Sequence, residues 1–206
     1  DALIRVAGNV TLSINATYTG SLINLRLDAS GTLTSSGKAW PGDINFAGTS
    51  QTYTLADAWT VNNMRSNATT AITINGNSIT INGTTTNLLN TATAATVSGT
   101  TTIILSGTGI WENTGAATLK NNLTFNSAGT ITLSSTNTLI YNTGTITYTA
   151  GTIVNTSSTL SLTLATTLAT SGMTWNNITI GSGLTITLSS ACNLSETLTT
   201  AGTTTI

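Results

Sequence analysis

Residues 129–154 read "GTITLSSTNTLIYNTGTITYTAGTIV", and the triplet Gly-Thr-Ile recurs at Gly129, Gly144 and Gly151 with no charged residue between. The second interval is close to half of the first, so one short unit of about 7–8 residues underlies both. Working outward, apolar residues continue the same steps at Leu123, Ile131, Leu139, Ile146, Ile153, Leu160, Leu168 and Trp175. Inside each unit the pattern alternates: in "GTITL", Ile131 and Leu133 point to one side and Thr130 and Thr132 to the other, the period of a β-strand. Each unit therefore reads as a short strand and a turn.

A unit this short leaves no room for a hairpin with its neighbour, but three of them, about 22 residues, close one triangular turn of a single-chain parallel β-solenoid. In that arrangement the ladder from Leu123 to Trp175 fills the bore, threonine covers the outside, and Gly and Asn at "NTG", "NG" and "AG" make the corners. Every strand pairs with the turns above and below, so the backbone is satisfied without charged side chains. An antiparallel β-sandwich is the alternative all-β reading, with turn signals spaced by about 8–12 residues.

Composition agrees with an ordered all-β chain. Of 206 residues, 39% are hydrophobic and only 5% charged, and about a quarter are threonine. Thr, Ile and Val are the residues that suit a pleated sheet, and a chain this apolar with this little charge is not disordered. Eight of the eleven charges, with the one proline, Pro41, lie in residues 1–65. The 7-to-8 spacing is hard to follow there, so residues 1–65 are expected to form an N-terminal cap or irregular β region and residues 66–206 the solenoid. Around tryptophan a longer repeat emerges: "SGKAW" (36–40), "SGTGIW" (106–111) and "SGMTW" (171–175) are spaced by about three turns.

Charge and cysteine usage restrict the partners. The net charge is −1 with five basic residues, Arg5, Arg26, Lys38, Arg65 and Lys120, so no nucleic-acid partner is expected. No run is apolar for long enough to form a membrane-spanning helix. Cys192 is alone and the chain has no histidine, so neither a disulfide within the chain, a metal site nor a Cys-His nucleophile is expected, and no cofactor. The acidic residues are Asp1, Asp28, Asp43, Asp57, Glu112 and Glu196, of which only Asp43 and Asp57 come from neighbouring strands. With no histidine or cluster to tune them, catalysis is not expected. Sequons such as Asn67-Ala-Thr69 and Asn122-Leu-Thr124 arise readily in a chain so rich in Asn and Thr.

Three surface readings remain. The Thr-x-Thr pairs Thr130/Thr132, Thr145/Thr147 and Thr185/Thr187 form a surface array like that of an ice-binding solenoid, but at irregular intervals and on more than one face. Trp40, Trp59, Trp111 and Trp175 are expected in the core rather than as sugar-stacking platforms, because Trp40, Trp111 and Trp175 share one place in the long repeat. The first strand-like stretch, "ALIRVAGNVTLSI", and the last, "LTTAGTTTI", offer strand edges without a cap, which favours a homo-oligomer or polymer.

The stretch at 129–154, followed by "TSGMTWNNITI", resembles threonine-rich β-helical repeat proteins of phage virions and fibres and of bacterial surface fibres. The likeness covers roughly residues 115–200. It implies an extracellular or virion-surface location and a structural role in a filament or fibre, with a glycan-binding adhesin module as the alternative and ice binding behind both. It implies no catalytic residues.

Overall fold

The computed structural model describes residues 2–13, 15–19, 23–66, 71–84, 87–91, 96–113, 117–134, 138–155 and 157–206. Its described residues form strands and no helix, every strand pairing is parallel, and the chain coils into a β-solenoid of roughly 21 residues per turn. No helix among them is long and apolar enough to cross a membrane.

The coil has three sides. Face I carries Ala39–Trp40, Trp59–Val61, Ile79–Ile81, Ile103–Leu105, the first halves of Leu123–Leu133 and Thr145–Val154, then Thr166–Ala169 and Ile186–Leu188. Face II carries Ala2–Ala7, Ile23–Ala29, Ile44–Phe46, Met64–Ser66, Asn87–Thr91, Gly109–Asn113 and the second halves of the same two long strands. Face III is a sheet of ten strands running from Val10–Thr11 to Leu198–Thr200. Leu123–Leu133 and Thr145–Val154 each run around the corner between faces I and II as one strand, their pairing shifting register on both sides of Asn126, which joins those faces into one sheet.

The 7-to-8 ladder is the path of the chain around the triangle. Leu123, Ile146 and Leu168 are register partners on face I, Ile131 and Ile153 on face II, and Leu139 and Leu160 on face III. Trp175 follows on the second side, in a separate two-stranded sheet made by Thr174–Trp175 and Asn193–Leu194. Seven of these eight side chains are buried at 0–1% exposure. Ile153 is only partly buried. Its strand pairs on face II with Leu123–Leu133, but the pairing to the next turn involves only Thr145–Thr147, so Ile153 sits at the seam where the face II sheet stops.

Glycine makes corners in two ways. Gly144 and Gly151 have φ of 94° and 123°, a conformation that glycine adopts without steric cost. Gly107 has ordinary φ, but a Cβ there would lie 2.0 Å from the carbonyl oxygen of Gly83 one turn away, so the absence of a side chain lets successive corners nest.

The strands of residues 1–65 pair in the same sheets as those that follow. Met64–Ser66 has Ile44–Phe46 on one side and Asn87–Thr91 on the other, and pairing continues back to Ala2–Ala7. This part is irregular in two places: on face I no strand precedes Ala39–Trp40 among the described residues, and on face II the pairing of Ala2–Ala7 with Ile23–Ala29 shifts register between Val6 and Ala7.

Candidate functional site

All four tryptophans are buried: Trp40 at 5%, Trp59 and Trp111 at 0%, Trp175 at 1%. Trp111 packs against Phe125 at 6.1 Å between ring centroids, and Phe125 against Trp175 at 6.4 Å, so these rings are bore filling and offer no stacking platform. The three tryptophans of the long repeat do not all lie on one side. Trp40 pairs with Val61 on face I, Trp111 with Leu89 and Leu133 on face II, and Trp175 with Leu194 in the small sheet. The chain path between register partners is shorter from Leu162 to Ile180 than from Ile72 to Val97, so a fixed block length drifts across the corners.

The threonine pairs divide between two faces. Thr145, Thr167 and Thr187 form one outward row on face I, with Thr147 beside Thr124 and Ala169 in the next, while Thr185 bridges to Thr205. Thr130 and Thr132 lie on face II, opposite Thr152 and Val154. One row of face I reads Ala39, Thr60, Thr80, Ile104, Thr124, Thr147, Ala169, so the hydroxyl grid is broken by apolar side chains.

Asp43 and Asp57 serve different corners. Asp43, 9% exposed, accepts a hydrogen bond from Asn63 Nδ2 at 2.6 Å and pairs with Arg65 Nη2 at 3.2 Å. Asp57 accepts the backbone N–H groups of Ser35 and Ser36, both at 2.7 Å, a turn-stabilising role. Among the described residues no three His, Cys, Asp or Glu side chains gather in a way that would hold a metal ion. Cys192 is half-buried, and that burial pushes its thiol above the usual range, which favours the unreactive protonated form. Asn122 is exposed, with its Oδ1 accepting the N–H of Thr145 at 3.0 Å; the sequon at Asn67 lies outside the described residues.

The ends of the coil are apolar. At the C-terminal end the bore opens into a cavity of about 260 Å³, lined among others by Leu188, Cys192, Leu194, Leu198 and Ile206. Leu188, Leu198 and Ile206 are 43%, 46% and 58% exposed, although Leu188 continues the column of Ile146 and Leu168. At the opposite end Leu3 and Ile4 are 56% and 44% exposed on the edge strand Ala2–Ala7.

A second feature was hidden from the sequence. Face II stacks Arg5, Arg26, Asn45, Arg65, Asn90 and Glu112 in one outward row, each on the next turn. Asp28 accepts Nε of Arg5 at 2.7 Å and Nε of Arg26 at 2.6 Å, and both guanidinium groups hold its carboxyl below the usual carboxylate range. Compared with known proteins, the chain matches no family model, no curated protein and no solved structure.

Proposed function

We propose that this chain is a structural subunit of an extracellular filament or virion-surface fibre, with no catalytic role, joined to further copies through the strand edges of its terminal turns. The observation that carries the reading is the pair of exposed apolar ends. An open bore lined by leucine and isoleucine, with unpaired N–H and C=O groups around it, is a template for another β-turn.

Head-to-tail stacking is heterologous and does not close, so it yields filaments rather than rings. Ten strands deep on face III, with about 4.8 Å between strands, one copy adds about 48 Å along the axis. Electron microscopy of the concentrated 206-residue chain tests this. The expected result is unbranched filaments with that axial repeat, and a chain that sediments as a dispersed monomer at every concentration overturns it.

A further inference from the structure

The row on face II is unusual for this chain: three of its five basic residues stand on one line. Stacking like charges on neighbouring turns about 4.8 Å apart is unfavourable in itself, and the equivalent outward row of face I folds with Thr, Ala and Ile. Between Arg26 and Arg65 the surface dips into a hollow of about 160 Å³ lined by Leu3, Asn24, Arg26, Asp43, Asn45 and Arg65.

The lining complements a small amphipathic acid. Arg26 spends its Nε on Asp28 and Arg65 one Nη2 on Asp43, so each guanidinium keeps further N–H donors without a partner among the described residues. Two such forks, one turn above and one below Asn45, suit a carboxylate, which Arg recognises by paired N–H donors. Asp43, already anchored by Asn63 and Arg65, retains acceptor capacity for a hydroxyl, and the amide of Asn24 adds a donor and an acceptor. Leu3, 56% exposed, supplies one apolar wall for a C–H face. Two arginines and one aspartate leave the hollow a single net positive charge. At about 160 Å³ it is smaller than the ~300–1,000 Å³ of sites for drug-sized ligands and holds one ring.

We propose that this hollow on face II binds an acidic sugar unit, a single pyranose ring carrying one carboxylate. The carboxylate sits between Arg26 and Arg65, the hydroxyls meet Asp43 and Asn24, and the apolar edge of the ring lies on Leu3.

The test is an amide ¹H–¹⁵N titration of the full chain with galacturonic acid, with galactose and acetate as controls. Saturable shifts are expected around Leu3, Asn24, Asn45 and Arg65, with galacturonate bound about tenfold more tightly than galactose, which lacks the charge-assisted contact, and about tenfold more tightly than acetate, which lacks the hydroxyl and ring contacts. Arg26→Gln is expected to weaken binding about tenfold, and Leu3→Asp, on an exposed edge position, to weaken it about as much by cancelling the net positive charge. Equal affinity for acetate and galacturonate reduces the site to a carboxylate contact and overturns the proposal, as do shifts that avoid this hollow. Unchanged binding in either folded variant overturns it too; where Arg26→Gln fails to fold, Leu3→Asp decides.

Discussion

Replacing Ile131 and Ile153 by alanine, one at a time, separates the bore from its seam. The two are register partners on face II and chemically identical, yet Ile131 is 0% exposed and Ile153 only partly buried. Ile→Ala removes three carbon atoms, about 2.4 kcal/mol of transfer free energy at ~0.8 kcal/mol per buried methylene. At Ile131 a cavity term adds to this, because strands hydrogen-bonded to turns above and below cannot move in to fill the space. The expected loss is about 4 kcal/mol, in the upper part of the ~2–5 kcal/mol range for such truncations. At Ile153 part of the side chain already meets water and the sheet ends beside it, so about 1–1.5 kcal/mol is expected. Urea unfolding followed by far-UV circular dichroism reads the difference as a shift of midpoint at constant m-value. Equal losses, or a larger loss at Ile153, refute the placement of the seam.

Gly107→Ala drives a Cβ to 2.0 Å from the Gly83 carbonyl oxygen and is expected to lower the thermal midpoint far more than Gly37→Ala, where φ is 73° but nothing lies within 4 Å and the cost is about 1 kcal/mol. Similar midpoints for the two variants refute the nested corner. Burial, and after it the charge of Asp28, pushes the Tyr53 phenol up to about 12 from 10.0, and its hydroxyl lies within hydrogen-bonding distance of the Leu27 and Ala47 carbonyls. A raised folded-state value means stabilisation that is complete below pH 10 and lost as the pH climbs toward about 12, so Tyr53→Phe is expected to flatten the alkaline limb of the stability curve. An unchanged limb contradicts this. Leu198→Lys places a charge on a 46% exposed edge position of the last turn and is expected to leave the fold intact while abolishing filaments, read by sedimentation and far-UV circular dichroism. Filaments of undiminished length would show that the contact lies elsewhere.

Local sequence carried the fold class and the turn. Whether a side chain points into the bore or out depends on the alternation within its own strand, and the step from one side of the triangle to the next is nearly constant along the chain, so Leu123, Ile131, Leu139 and Ile146 are legible as one winding ladder. The alternation around Thr130 and Thr132 is legible for the same reason. Which residues become neighbours between turns is a different quantity. It depends on how much chain each corner consumes, and that length varies, being smaller between Leu162 and Ile180 than between Ile72 and Val97. Only the folded register could therefore align Arg5, Arg26, Asn45 and Arg65: each is about one turn from the next, but the spacing varies by the single residue that decides whether a side chain points outward or into the bore. The same register divided the threonine pairs between faces I and II, moved Trp40 away from Trp111 and Trp175, and left Ile153 beside the end of a sheet. It also carried the strands of residues 1–65 into the common sheets, because a parallel ladder needs matching backbone edges rather than a matching sequence repeat.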